Sequence, residues 1–265
     1  MFLTLVAVLR SVATYTVVTL FVAVLGPPSL VIALLAGHPR LLYRVAHVGI
    51  RTGLFLSGIK RRVEGAEHIQ RNRAAVYAVN HTSNVEPPIL YDALSDLFPR
   101  LRILYKAELR KLPVLVRAFD LAGFVPLERE NPEQSMPAID RAAAALREGN
   151  SFLIFPEGTR SRTGNLLPFK KGGFIMAIKA QAPVVPVAII GARNALRKGS
   201  FVINPVRVTV RIGEPVETWG MTLDDRDKLV GDARSRVENL LHAPVVAAGR
   251  ERGPAARAGR GPHRA

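Results

Sequence analysis

The chain has 265 residues and no cysteine, and its 37 Lys and Arg against 21 Asp and Glu give a formal net charge of +16. The length suits one sizeable domain with additional elements, and the lack of cysteine excludes a disulfide framework, thiolate metal ligands and a cysteine nucleophile. The positive charge favours a polyanionic partner such as nucleic acid, an anionic membrane surface or a phosphorylated substrate.

Long apolar runs are concentrated in the first sixty residues, which favours a membrane over nucleic acid as the partner. Met1–Leu25 is apolar apart from Arg10 and a few small polar residues. It is long enough for one membrane span, which takes about 20 residues. Gly-Pro-Pro at 26–28 predicts a helix break. Residues 29–36 are apolar but too short to cross alone, and Gly-His-Pro at 37–39 predicts a second break.

The next segment, Leu41–Gly58, has the pattern of an interfacial helix. Basic residues recur at spacings of four, three and four, and they are Arg40, Arg44, His47 and Arg51. This spacing places them on one helical face, which would meet lipid phosphates. We therefore predict a membrane anchor at residues 1–58, either a hairpin in one leaflet or one span with an interfacial helix.

A cleaved signal peptide is the alternative interpretation of the N-terminus. It is disfavoured because a positively charged first region and a small-residue cleavage site are both missing. We expect the chain at the cytoplasmic face of the cell membrane.

Beyond Arg62, short apolar segments alternate with amphipathic ones. Strands are predicted at 74–79, 102–105, 123–127, 151–155, 184–190 and 206–212. Helices are predicted at 86–97, 107–121, 135–148, 172–180 and 223–241. This alternation indicates an α/β domain with helices on the faces of a sheet. The tail, 246–265, carries arginines among Gly, Pro and Ala and is predicted to be disordered.

The segment from Asn80 to Pro87 follows a predicted strand directly, where α/β sheets place their chemistry. His81 falls in the turn and Glu86 in the first turn of the next helix. If the turn folds back, the carboxylate can orient one imidazole nitrogen and leave the other to take a proton from an alcohol. Taken alone, the pair is weak evidence for a catalytic site. A histidine in a turn is often a surface residue, and a glutamate at the start of a helix often interacts with the macrodipole.

A second strand, 151–155, runs into a polar loop. Gly158 permits close backbone approach, and Thr159 can donate a hydroxyl hydrogen bond. Arg160 offers a planar fork suited to phosphate, and Glu157 can accept a hydrogen bond from a sugar or glycerol hydroxyl. An ordinary turn with a surface salt bridge is the alternative.

Cations follow two further strands. Lys106 ends the strand at 102–105, and Arg129 follows the strand at 123–127. A histidine base beside fixed cations suits an anionic substrate that carries a nucleophilic hydroxyl. Lys170 and Lys171 add to the same positive field, although neighbouring lysines on a loop are more often solvated.

Together these motifs resemble the glycerolipid acyltransferases typified by bacterial 1-acyl-glycerol-3-phosphate acyltransferase. The residues from Asn80 to Glu86 are similar to the family's His-x-x-x-x-Asp motif, with glutamate in place of aspartate. The other matching blocks, in chain order, are Gly123–Arg129, Phe155–Ser161, Phe169–Phe174 and Val185–Ile189. One block is moderately specific, whereas all of them in order are strongly specific.

The resemblance implies a mixed, mostly parallel sheet flanked by helices, with an N-terminal membrane-associated helical hairpin. His81 would deprotonate the free hydroxyl of 1-acyl-glycerol-3-phosphate, which attacks an acyl thioester directly to give phosphatidic acid. Arg160, with Lys106 and Arg129, would hold the acceptor's phosphate. The remaining residues expected at the substrate site are Ser83, Glu157, Gly158 and Thr159. The donor would be acyl-CoA or an acyl carrier protein, with no metal and no bound cofactor, and the acyltransferase domain would occupy residues 59–245.

Three other functions stay open. Glutamate at position 86 leaves room for another lyso-acceptor, such as a lyso-amino lipid, another lysophospholipid or a glycolipid intermediate. It also permits a degenerate, non-catalytic site that binds anionic lipid. Specific nucleic-acid binding is disfavoured, because the sequence has no aromatic-interleaved basic strand and no recognition-helix module.

Overall fold

A computed structural model describes residues 2–111, 113–128 and 132–244. Two N-terminal helices come first, α1 at Phe2–Leu35 and α2 at Arg40–Ser57. The helix break predicted at 26–28 is wrong, because α1 continues through Pro27 and Pro28. Each proline removes one backbone donor, whereas ending the helix in apolar surroundings would leave several backbone groups unpaired.

The expected N-terminal helical hairpin is present, and its two helices run antiparallel with close backbone contact. A Cβ on Gly49 would lie 2.8 Å from the ring of Phe21, and one on Gly53 would lie 3.1 Å from Val18. Glycine at these positions lets α2 approach α1. Among the described residues one helical segment, Thr4–Leu35, is long and apolar enough to cross a membrane, with a mean hydropathy of 2.3.

The predicted basic face of α2 is divided in the structure. Arg40, Arg44 and Arg51 are exposed. His47 instead turns toward the domain, where its Nε2 lies 2.7 Å from Oδ1 of Asp92. Arg61 also pairs with Asp92. One member of the predicted lipid-facing row therefore joins the hairpin to the domain.

The strands form a sheet in the order β1-β7-β6-β2-β5-β3-β4. Their bounds are β1 Lys60–Glu64, β2 Val76–Val79, β3 Leu101–Lys106, β4 Val125–Leu127, β5 Ser151–Ile154, β6 Val184–Ile190 and β7 Arg207–Ile212. Only the β6–β7 pair is antiparallel among the described strands. The mixed, mostly parallel sheet is confirmed.

Helices cover both faces of the sheet. The α-helices after the hairpin are α3 Glu86–Ala93, α4 Pro113–Leu121, α5 Pro132–Arg147, α6 Gly172–Ala180, α7 Ala192–Ala195 and α8 Arg226–His242. Alternate residues of β2 point to opposite faces. Tyr77 and Val79 join the core under α3, whereas Val76 and Ala78 join the core under α5, α6 and α8. This two-sided burial explains why the central strands are continuously apolar.

Several predicted elements change at their ends. The helix predicted at 107–121 is divided into a 3₁₀ segment, Ala107–Lys111, and α4, which begins at Pro113 because proline suits a first helical turn. The helix predicted at 86–97 ends as a 3₁₀ turn at Ser95–Leu97, and the one predicted at 223–241 begins as one at Leu223–Asp225. The predicted tail at 246–265 lies outside the described residues.

Strand β1 is absent from the sequence-based prediction. Its residues, Lys60 to Glu64, have no alternating apolar pattern and show only a basic cluster. The strand forms because it pairs in parallel with β7, Lys60 opposite Arg207. A nonlocal partner thus creates an element that the local pattern does not indicate.

Candidate active site

The carboxyl ends of β2, β3, β4, β5 and β6 lie at one edge of the sheet, because these strands run parallel. The turn after β2 carries His81, and the loop after β5 carries residues 155–171. Asn80 anchors the first turn through its side chain, which donates to the Ile189 carbonyl at 3.1 Å and accepts from the Ile189 N–H at 2.7 Å. The edge thus holds the predicted site on rigid strand ends.

His81 and Glu86 meet within this turn. The His81 Nδ1 lies 2.6 Å from Oε2 of Glu86. The Glu86 side chain is fully buried, whereas 14% of the His81 side chain is exposed. The two side chains therefore lie as the predicted dyad requires, with the carboxylate inside and the imidazole reaching the surface.

Glu86 is held by more than the histidine. The Thr82 hydroxyl donates to Oε1 at 2.6 Å, and the Thr82 N–H reaches both carboxylate oxygens at 2.9 and 3.0 Å. These bonds compensate the carboxylate for lost solvent. They also fix its direction, so the carboxylate can hold His81 in one orientation with Nε2 as the remaining ring nitrogen.

Phe155 forms one wall of the histidine site. Its ring stacks on the His81 imidazole at a centroid distance of 4.1 Å and an interplanar angle of 26°. Phe155 is not among the site residues predicted from the sequence. Its place at the end of a predicted strand, directly before the polar loop, is the signal that could have identified it.

Glu157 connects the two turns. Its Oε1 accepts the His81 backbone N–H at 2.6 Å, and its Oε2 accepts the Leu167 N–H at 3.0 Å. The side chain is 4% exposed. Burial raises the pKa of Glu157, although the backbone hydrogen bonds from Leu167 and His81 oppose that rise. With both oxygens engaged by backbone, this geometry favours a positioning role over the predicted substrate contact.

The Arg160 loop lies directly beside the histidine turn, because the Ser161 N–H donates to the His81 carbonyl at 2.8 Å. Arg160 is half-buried, and its guanidinium has no hydrogen-bond or ion-pair partner within the described chain. Thr159 is exposed and Gly158 has a φ of +70°. A Cβ on Gly158 would lie 2.9 Å from the Lys170 side chain, so glycine lets the lysine cross the loop.

Ser83 takes a different position from the one predicted for a substrate ligand. It is fully buried, and its hydroxyl donates to the Leu196 carbonyl at 2.7 Å. It therefore joins the histidine turn to the segment that follows α7. A substrate could not reach it without displacing this bond.

The remaining predicted cations differ in placement. Lys106 ends β3, about 10 Å along the edge from β2 at two strand spacings. It is half-exposed and pairs with Glu108 at 2.6 Å. Lys171 pairs with Asp227 at 2.7 Å. Arg129 lies outside the described residues, so its role in phosphate binding stays a prediction. The expectation that the site needs no metal and no cofactor also stays a prediction.

An apolar cavity of about 610 Å³ opens beside the His81 wall. It lies between α5, α6 and the ends of β3, β4 and β5. Its lining includes Phe155, Gly158, Met136, Ile139 and Ile175. A Cβ on Gly172 would lie 3.1 Å from Ile139, and one on Gly173 would lie 2.3 Å from Ile154, so glycine at both positions lets the start of α6 pack closely against these two cavity-lining side chains. The position of this cavity is not predictable from the sequence alone.

Comparison with known proteins places this site in a family. The acyltransferase family profile matches residues 60–190, which include both turns. A 1-acyl-sn-glycerol-3-phosphate acyltransferase of Limnanthes douglasii is 35% identical over 179 residues, 67% of this chain and 62% of the relative. The mouse alpha enzyme of the same name is 31% identical over 182 residues, 68% of this chain and 63% of the relative. The chain thus spans about three fifths of these relatives.

An uncharacterized acyltransferase of Schizosaccharomyces pombe is 29% identical over 218 residues, 80% of this chain and 76% of that protein. The fold is also that of a solved structure. The crystal structure of the 1-acyl-sn-glycerophosphate acyltransferase of Thermotoga maritima superposes with a TM-score of 0.73, covering 91% of this chain and 99% of that one at 24% identity. The hairpin and the mixed sheet are therefore a known combination.

Proposed function

Because the chain belongs to the acyltransferase family through residues 60–190, we propose that it transfers an acyl group from a thioester to the free hydroxyl of 1-acyl-glycerol-3-phosphate. The product is phosphatidic acid. The observation that carries this proposal is the 2.6 Å contact between His81 Nδ1 and the buried Glu86 carboxylate. We name this acceptor because the relatives in Limnanthes douglasii and mouse are 1-acyl-sn-glycerol-3-phosphate acyltransferases.

The dyad gives the reaction its base. Nε2 of His81 takes the proton from the acceptor hydroxyl as its oxygen forms a bond to the thioester carbonyl carbon. Glu86 stabilises the imidazolium that results. The tetrahedral intermediate then collapses with cleavage of the C–S bond, and the imidazolium returns the proton to the departing thiolate. No enzyme nucleophile is needed, since the acceptor supplies it.

The acceptor's phosphate is proposed to bind at Arg160. Its guanidinium is half-buried beside the histidine turn, and a planar fork with several donors suits a phosphate. Lys106 and Arg129 are proposed to support it from the neighbouring strand ends. A half-buried cation that keeps free donors gives an anionic acceptor both binding energy and a fixed distance from His81.

The apolar cavity is proposed to hold the acyl chain of the donor. It begins at Phe155, which stacks on His81, and at Gly158, beside the Arg160 loop. Lys170 and Lys171 lie at its rim. Apolar walls near a cationic rim suit an acyl chain joined to a phosphate-bearing carrier, either coenzyme A or the prosthetic group of an acyl carrier protein.

We place the site at a membrane, with the hairpin as the anchor and the domain on the cytoplasmic side. The helix Thr4–Leu35 has the length and hydropathy for this. An acceptor that is itself a membrane lipid needs a site at the bilayer surface. The charge of +16 suits the anionic cytoplasmic leaflet.

Another lyso-acceptor is the second candidate, because Glu86 stands where the family motif carries aspartate. The deciding experiment offers the purified, vesicle-reconstituted chain a labelled acyl thioester with lysophosphatidic acid, a lyso-amino lipid or a glycolipid intermediate in turn. Labelled phosphatidic acid as the main product supports the first function. Preferential labelling of a phosphate-free acceptor supports the second, and no labelling of any acceptor contradicts both.

A further inference from the structure

The loop between α7 and β7, residues 196–206, begins at the histidine turn. The Leu196 carbonyl accepts the Ser83 hydroxyl bond at 2.7 Å, and Leu196 itself is buried. The loop then turns outward through Gly199, whose φ is +91°. At its tip Phe201 is 82% exposed. An exposed aromatic side chain thus lies five residues after Leu196, which bonds to the histidine turn.

The loop is fixed to the N-terminal part of α1. The Ile203 N–H donates to the Ser11 hydroxyl at 2.7 Å, and both residues are buried. The Asn204 N–H returns to the Ala195 carbonyl at 2.8 Å. These bonds hold the base of the loop against the apolar helix, so the exposure of Phe201 is a property of a fixed loop.

The base of this loop lies beside an exposed apolar surface of the two N-terminal helices. Leu9 of α1 is 60% exposed and Phe55 of α2 is 82% exposed. Both line a groove of about 770 Å³ together with Pro205, which lies four residues after Phe201. A single exposed apolar side chain is ordinary, but exposed apolar side chains on the loop and on the two helices beside it indicate contact with lipid.

Exposed basic residues lie on the loop and at the starts of two neighbouring strands. Arg197 and Lys198 are exposed on the loop itself, and Lys60 and Arg207 are exposed where β1 and β7 begin. Those two strands begin at the same edge as His81, because β7 runs antiparallel to β6. No aspartate or glutamate occurs before Glu64 or between Glu157 and Glu214. Apolar tips with basic flanks match the lipid tails and anionic headgroups of a bilayer surface.

We propose that the loop at residues 196–206 is a third membrane contact, in addition to the two hairpin helices, with Phe201 inserted among lipid acyl chains and Arg197 and Lys198 on anionic headgroups. The contact lies at the active-site edge and is joined to the histidine turn through Ser83. A membrane-bound acceptor would therefore meet the site without leaving the bilayer surface. The proposal requires no catalytic activity, so its test is independent of the reaction.

The chain contains one tryptophan, Trp219, which is 85% exposed. It lies at the opposite edge of the sheet, near Val216, which pairs with the start of β6. The test uses the full chain reconstituted in phosphatidylglycerol-containing vesicles whose acyl chains are brominated. The unmodified chain, with Trp219 alone, gives the baseline for an indole in water. The combination Trp219→Phe with Phe201→Trp places the indole at the loop tip.

We expect the indole at position 201 to emit at shorter wavelength than Trp219 and to lose at least half of its emission to the bromines. Trp219 should be quenched little. Equal quenching at the two positions overturns the proposal. A loop that binds a soluble protein and not lipid would give this result. Both substitutions replace exposed side chains, so folding is not at risk.

The charged part of the contact has its own readout. In the single-indole background, Arg197→Gln with Lys198→Gln should weaken loop insertion about fivefold for each charge removed in anionic vesicles, and hardly at all in phosphatidylcholine. The matched control is Lys228→Gln, an exposed lysine on α8, which should change nothing. Unchanged quenching in the double variant in anionic vesicles overturns the assignment of Arg197 and Lys198 to headgroups.

Discussion

The carboxylate of Glu157 accepts the backbone N–H of His81 at 2.6 Å, across 76 positions of sequence. This bond joins the turn after β2 to the loop after β5. The same carboxylate also accepts the Leu167 N–H, so one buried side chain sets the position of His81 relative to the loop that carries Arg160. The relative placement of His81 and Arg160 thus depends on a residue that need not touch the substrate.

Replacing Glu157→Gln should destabilise the chain by about 1–3 kcal/mol, because one amide hydrogen would then face a backbone N–H in place of an acceptor. Chemical denaturation in detergent micelles measures the change. Glu67→Gln is the control, since the Glu67 side chain is 74% exposed. A Glu157→Gln variant as stable as the Glu67→Gln variant would show that the two backbone bonds contribute nothing.

Glu86→Gln should lower kcat by about 100-fold or more with little change in KM, because an amide stabilises the imidazolium much less than a carboxylate. Glu86→Asp tests whether a shorter side chain still brings the carboxylate to the His81 imidazole. The side chain shortens by about 1.5 Å, one carbon–carbon bond, which opens the 2.6 Å contact unless the backbone moves. We expect a loss of about tenfold, and full activity in Glu86→Gln would exclude the carboxylate from catalysis.

Arg160→Ala should raise KM for lysophosphatidic acid by roughly 10- to 100-fold, the equivalent of losing a charged hydrogen bond worth about 1.5–3 kcal/mol. Arg160→Lys should recover part of the loss, because a lysine keeps the charge without the fork. Arg162→Ala, an exposed neighbour on the same loop, is the matched control. An unchanged KM in Arg160→Ala would indicate that the acceptor has no phosphate at this position.

The ion pairs of Asp92 predict that the contact between α2 and the domain weakens in acid. Burial raises the pKa of Asp92, but hydrogen bonds from Arg61 and His47 outweigh it and leave the pKa below its usual value. A lowered folded-state pKa stabilises the fold above the unfolded value of about 4. That contribution disappears as the pH falls from about 4 through the folded-state pKa.

Asp92→Asn should therefore lose about 1–3 kcal/mol at pH 7 and show a flatter stability profile below pH 4. Unfolding curves between pH 2.5 and 7 measure both effects. The control is Asp227→Asn. The Asp227 carboxylate is exposed and pairs with Lys171, and this ion pair also lowers the pKa of Asp227. Equal slopes below pH 4 in Asp92→Asn and the unmodified chain would contradict the assignment.

The fold was predictable where local pattern and final environment agree. The apolar strands at 151–155 and 184–190 and the helix at 172–180 have such patterns, and the structure contains them with small changes at their ends. β1 could not be found, because its only structural cause is its pairing with β7. The hairpin helix α1 was divided wrongly at its prolines, since rules from water-exposed helices overstate the tendency of proline to end an apolar helix.

The site was predictable in its residues and not in its contacts. The spacing of His81 and Glu86 predicts that they can meet. It does not predict that Thr82 holds the carboxylate, that Phe155 stacks on the imidazole or that Ser83 is buried under Leu196. Those contacts depend on how separate turns pack at one edge of the sheet. The local sequence pattern locates each turn along the chain but does not show which other turns it contacts.

The most direct test of the account is the rate of acyl transfer by His81→Ala in the purified, reconstituted chain, with a labelled thioester donor and lysophosphatidic acid. Removing a general base should lower kcat by about 100- to 10,000-fold while the fold and membrane binding are kept. His81 is partly exposed, so the substitution leaves no large buried void. Loss of labelled phosphatidic acid in a folded, membrane-bound variant is the result we predict, and undiminished transfer would contradict the proposed mechanism.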